Sequence, residues 1–184
     1  MKPKYILFFS LFVAINSCGD FYWRDYDGSI PSDAIPAENN SKGLSYIGQA
    51  YIHNYGLFLG KIIPGNLEIS VPCYGVKKIN VIIKILCAAD KSKYYWISTN
   101  RARYRDDTFD KCPVLGGYDQ KAKINRKLGT LHVGRTRIEG NVIIGNIAAY
   151  DPIHPFFYYP LNDTEIRASE YDVLIYSDNS VLPQ

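Results

Sequence analysis

The chain has 184 residues, 21 basic against 18 acidic, with a formal net charge of +3. So nearly neutral a chain argues against nucleic acid or an anionic membrane surface as partner. Its length supports one compact domain or two small lobes, and four cysteines are too few for a dense disulfide framework.

At the N-terminus, Lys2 and Lys4 precede an apolar run over residues 5–15, followed by Asn16, Ser17, Cys18 and Gly19. This is the layout of a secretory signal peptide. The run is about half of the roughly 20 residues that a helical membrane span needs. Residues 1–19 are therefore expected to be a leader removed after Gly19, with a cut before Cys18 as the alternative. The product is expected to be secreted and extracellular, without membrane insertion. Removing the leader leaves 19 basic against 18 acidic residues. A chain cut after Gly19 keeps Cys73, Cys87 and Cys112, which allows one disulfide of unspecified pairing and leaves one thiol over.

Strand-like segments follow at residues 44–51, 67–71, 79–87, 130–138, 141–149 and 171–176, each rich in Val, Ile or Tyr and bounded by Gly, Pro or Asn. Residues 32–37 admit a single helical turn, and no segment after the leader carries an apolar stripe of helical period over three turns. The predicted fold class is all-β, built from antiparallel strands. The 16 tyrosines suit half-buried strands as well as a binding surface. The run Arg101-Ala102-Arg103-Tyr104-Arg105-Asp106-Asp107 reads as an exposed insertion loop, since acids neighbour its arginines.

Self-similarity organises these strands into two copies. Tyr46-Ile47-Gly48-Gln49-Ala50, a hairpin, and Gly60-Lys61-Ile62-Ile63-Pro64-Gly65-Asn66 recur as His132-Val133-Gly134-Arg135-Thr136, a shorter hairpin, and Gly140-Asn141-Val142-Ile143-Ile144-Gly145-Asn146. Upstream, Phe21-Tyr22-Trp23 matches Tyr94-Tyr95-Trp96, and Pro31 matches Pro113. Downstream, Ile83-Lys84-Ile85-Leu86 matches Tyr171-Asp172-Val173-Leu174. The organisation expected is a first repeat over residues 20–93, a second over 94–178 and a tail over 179–184.

The ordered blocks resemble the DM9 repeat family. Trp23, Pro31, residues 46–50 and Pro64-Gly65-Asn66 carry the first copy, while Trp96, Pro113, Gly116-Gly117-Tyr118-Asp119, Val133-Gly134-Arg135-Thr136 and Ile144-Gly145-Asn146 carry the second. The resemblance implies tandem antiparallel β structures with pseudo-twofold symmetry, a tendency to form homodimers, and in some members mannose-type lectin activity in innate immunity. It also implies a sugar site using the Asp of Gly-Gly-x-Asp and the Lys of Pro-Gly-Lys. Here the second copy keeps Asp119, the first has Glu38-Asn39-Asn40 near that place, and Asn66 and Asn146 stand where the family has Lys. The candidate carbohydrate-binding residues are thus Asp119, Asn39, Asn40, Asn66 and Asn146, all able to bridge vicinal hydroxyls. Tyr46, Tyr74 and Tyr118 are candidates to cover the apolar face of a pyranose. For Asn66 and Asn146, each following a Gly, capping of a turn is the competing reading.

Catalytic signatures are missing: there is no Gly-x-Ser-x-Gly, no His-Glu-x-x-His and no phosphate loop. The cysteine and histidine spacings do not suit zinc, so neither metal nor cofactor is expected. Asn162-Asp163-Thr164 is a glycosylation sequon. Two functions remain open: non-enzymatic binding of a glycan, and a secreted protein-interaction or effector module of salivary or venom type with a Tyr-rich docking surface.

Overall fold

The structure, a computed structural model, describes residues 18–40, 43–124 and 127–177, without the side chains of residues 39–40, 123–124 and 127–128. Most of the expected leader, and the tail, lie outside the described residues. Fifteen strands are described: β1 (Phe21–Asp25), β2 (Pro36–Asn40), β3 (Gly43–Ile52), β4 (Gly56–Ile62), β5 (Ile69–Pro72), β6 (Val76–Ile79), β7 (Ile83–Ala88), β8 (Tyr94–Asn100), β9 (Cys112–Pro113), β10 (Leu115–Ile124), β11 (Lys127–Ile138), β12 (Asn141–Ile147), β13 (Phe157–Leu161), β14 (Thr164–Ala168) and β15 (Glu170–Tyr176). The fold is all-β, and every strand pair is antiparallel.

The pairing order repeats. β1 pairs with β7, β7 with β3 and β3 with β4; β8 pairs with β15, β15 with β11 and β11 with β12. Trp23 stands opposite Leu86 and Trp96 opposite Leu174. One block is realigned by the register. Gly48 faces Gly60, and Gly134 faces Gly145, so Gly60 corresponds to Gly145 rather than to Gly140. On that register Lys61 stands at the place of Asn146, and Asn66 has slid out of the ladder into the following turn.

Three further expectations change. The single strand expected over 79–87 is two, β6 and β7, because Ile82 takes a left-handed φ of 52°, a conformation that β-branched residues rarely adopt. The run at 101–107 contains a one-turn helix, α1 (Tyr104–Thr108), and Tyr104 is buried rather than displayed. The disulfide joins Cys112 to Cys18, with a Cα–Cα distance of 5.2 Å, and leaves both Cys73 and Cys87 as buried thiols. A cut after Gly19 would discard this bridge, whereas the cut before Cys18 keeps it.

β10 joins the two halves. Tyr118 and Asp119 pair on one side with Leu57 and Gly56 of β4, and on the other with Thr130 and Gly129 of β11. Below the seam lies a core of Ile47, Leu59, Leu86, Val133, Ile144 and Leu174. Because these residues come from strands of both halves, burying them fixes the halves against each other. The hairpin β5–β6 stands apart from the main sheet and packs its β5 side on β4, β12 and β13.

Candidate functional site

The seam opens on one side into a cleft of about 220 Å³. Pro72, Cys73 and Tyr74 approach from the β5–β6 hairpin, Phe58 from β4, Asp119 from β10, Asn146 from β12, Tyr158 from β13 and Glu165 from β14. Leu131, Ala148 and Tyr150 complete the lining. A concave, largely apolar site with a few convergent polar groups is the usual form of a small-ligand pocket.

Asp119 is placed there by its neighbours. Both residues facing it across the sheet, Gly56 and Gly129, lack a side chain. The residue is only 5 % exposed, and each carboxylate oxygen has a donor: the Tyr74 hydroxyl at 2.7 Å on Oδ2 and the Lys121 backbone N–H at 2.8 Å on Oδ1. Tyr74 reaches it from a left-handed backbone, φ 52°, in a tight turn closed by the Cys73 N–H on the Gly75 carbonyl at 2.7 Å. Such a conformation in a bulky residue costs of the order of 1 kcal/mol and persists where the surroundings enforce it, which is common at binding sites. The next N–H, of Gly75, donates to Glu165 Oε2 at 3.1 Å. One strained turn therefore positions both carboxylates of the cleft.

Burial, reinforced by the charge of Asp119, holds the Glu165 carboxyl above its ordinary pKa. Burial also pushes the Tyr150 hydroxyl up to about 12 and raises Tyr74, the latter helped by its bond to Asp119. The tyrosines of the cleft are consequently neutral donors at any ordinary pH.

The five sugar-site candidates separate. Asp119 and Asn146 share the cleft, with Asn146 only 2 % exposed. Its amide joins the halves: Oδ1 accepts from the Leu59 N–H at 2.9 Å and Nδ2 donates to the Pro72 carbonyl at 3.0 Å. Asn66 lies outside the cleft, where its Oδ1 accepts from the Glu68 N–H at 3.0 Å and caps an exposed turn. The side chains of Asn39 and Asn40 lie outside the described residues. Of the three tyrosines singled out, Tyr74 lines the cleft, Tyr118 lines a separate apolar groove with Phe21 and Trp23, and Tyr46 packs on a second apolar cluster that includes Phe58, Ile62 and Ile85. Glu165, Tyr150 and Tyr158 were not anticipated. Among the described residues no group of three or more His, Cys, Asp or Glu is placed to hold a metal ion.

The family model for the DM9 repeat matches residues 39–151, more than half of the chain and the whole of the seam. The chain belongs to the DM9 repeat family. No curated protein matches it. The matched DM9 region contributes nine of the eleven residues named around the cleft and stops at Asp151, so Tyr158 and Glu165 come from beyond it.

Away from the cleft, the Tyr104 hydroxyl is hydrogen-bonded to Nδ1 of His132, and burial holds this imidazole down to about pKa 4. Between that value and the unfolded 6.5 the unfolded chain binds the extra proton, so stability falls as the pH drops from 6.5 to 4 and is unaffected above that window. The full effect amounts to at most about 3 kcal/mol. Urea unfolding of the wild type and of His132→Gln at pH 4 to 7 is expected to give curves that diverge on acidification, with the wild type losing more; parallel curves would contradict it.

Proposed function

We propose that this DM9 protein is a secreted, non-enzymatic carbohydrate-recognition protein that takes a sugar in the Asp119 cleft. The observation that carries the reading is the convergence of Asp119, Glu165 and Asn146 with Tyr74, Tyr150 and Tyr158 in one concavity. Carboxylate and amide oxygens accept from vicinal hydroxyls, and tyrosine rings cover the C–H face of a pyranose. The repeated pairing order supports descent from a duplicated unit. A mannose-type sugar and a homodimer of lectin type complete the proposal on the strength of the family resemblance. The sequon residue Asn162 is exposed at a two-residue hairpin tip between β13 and β14, an accessible place for a glycan.

A glycan array with the purified protein, followed by titration of the best hit, tests this. Asp119→Ala removes the acceptor and frees Tyr74 and Lys121, and is expected to weaken binding about 30-fold or more, the factor that a loss of about 2 kcal/mol produces. Unchanged affinity in Asp119→Ala would place the sugar elsewhere. A blank array would favour the protein-docking reading, for which the apolar groove of Phe21, Trp23, Leu57, Leu115 and Tyr118 is the surface available.

A further inference from the structure

We infer that the ligand of the Asp119 cleft is a cationic amino sugar, a hexose carrying a free ammonium group, rather than a neutral one; this rests on the sugar-binding reading above. The lining holds two carboxylates, Asp119 and Glu165, three tyrosines and one phenylalanine, and no Lys, Arg or His. Among the described residues neither carboxylate is in an ion pair: the partners of Asp119 are a hydroxyl and a backbone N–H, and Glu165 accepts from a backbone N–H. Lys121, whose backbone N–H serves Asp119, turns its ammonium to the ring of Tyr55, 3.8 Å from the centroid, and lies 5.7 Å from that of Tyr74. Negative charge thus gathers in a hollow whose own lining carries no cation, with Lys121 and the Arg167 that acts on Tyr158 standing just outside it.

A neutral sugar would displace water from both carboxylates and leave their charges uncompensated. An ammonium ion would offset them directly and meet ring faces that attract cations. The ring of Tyr55, outside the cleft lining and facing Lys121, shows such a contact in this fold. Size points the same way. At about 220 Å³ the hollow is below the roughly 300–1,000 Å³ of pockets for drug-sized ligands, so it suits one sugar ring. The raised Glu165 carboxyl, with burial as its main cause and the Asp119 charge adding to it, agrees with a charge that lacks its partner.

Calorimetric titration with glucosamine, glucose and mannose isolates the charge, because glucosamine differs from glucose only in exchanging a hydroxyl for an ammonium group. Glucosamine is expected to bind about tenfold tighter than either neutral hexose, equivalent to about 1.4 kcal/mol. In Glu165→Gln the preference should shrink to about twofold or less, since one of the two charges facing the ammonium is gone. Equal affinities for the three sugars would overturn the amine inference and leave the sugar reading standing. No binding of any of them together with a blank array would overturn both. If Glu165→Gln melts early by circular dichroism, the wild-type comparison of glucosamine with glucose decides the matter alone.

Discussion

Gly117→Ala is expected to lower the stability of the protein by about 3 kcal/mol or more, the range of severe single substitutions. Gly117 lies in mid-sheet, where β10 runs between β4 and β11. A Cβ built there would stand 2.2 Å from the Leu57 carbonyl oxygen and 2.9 Å from its carbon. These are backbone atoms of the neighbouring strand, so relief requires β10 to move as a whole, and overpacking of this kind is costly. The adjacent Gly116 would meet the Leu59 side chain instead, at 2.3 Å, and its carbonyl already accepts from Gln49 Nε2 at 2.5 Å. The double glycine is thus the means by which β10 lies close on β4 and carries Asp119, two residues on, into the cleft. Gly65→Ala is a fitting comparison: the space there is open within 4 Å and only the φ of +80° is strained, a cost of about 1 kcal/mol. Urea midpoints of the two variants should differ accordingly. Equal midpoints would mean that β10 yields easily and that the motif is not a steric requirement of the seam.

Much of this arrangement is legible in the residues, for identifiable reasons. The strands announce themselves because alternating Val, Ile and Tyr between turn residues report a half-buried pleated surface, and Trp23 and Trp96 fall in equivalent registers against Leu86 and Leu174. The failures have physical causes too. Asn66 and Asn146 share the dipeptide Gly-Asn, yet one caps a turn and the other bridges two strands. A ladder register decides between them, and register is a long-range property. Ile82 hides a break between two strands because its β-branched neighbours, Val81 and Ile83, read as strand. Glu165, Tyr150 and Tyr158 escape notice because each is an ordinary strand or loop residue, brought toward Asp119 by the order β10–β11–β12–β13–β14 of the main sheet, a long-range property. Asp119 itself stands in a legible motif because its two glycines are what close packing of β10 on β4 demands.

Opening the Cys18–Cys112 bridge should be the other large loss, about 4 kcal/mol. The bond spans 94 residues of sequence, and closing a loop of roughly that length removes about 4 to 5 kcal/mol of unfolded-chain entropy in the simplest treatment. It also ties the segment before β1 to β9, beside the shared core on which Phe21, Trp23 and Cys112 pack. The neighbouring residues have their own anchors: the Asp20 carboxylate accepts from the Tyr94 hydroxyl at 2.9 Å, and Gly19 lies against the rings of Phe21 and Tyr176. No substitute bridge is at hand. Burial raises Cys87 to about 11 and Cys73 to about 12, so both remain unreactive thiols in the folded protein. Cys112→Ser, or reduction by dithiothreitol, is therefore expected to shift the urea midpoint strongly, while thiol labelling of the untreated protein detects Cys73 and Cys87 only after denaturation. In the secreted product proposed above, the same bond discriminates between the two leader cuts. A cut after Gly19 would release Cys18 and leave Cys112 unpaired at the surface of the core; a cut before Cys18 makes that cysteine the first residue and retains the bridge. Intact mass and N-terminal sequencing of the exported protein are expected to show a chain beginning at Cys18 with two hydrogens fewer than its reduced form. A mature chain beginning at Asp20, with stability indifferent to reductant, would show that the fold stands without this link.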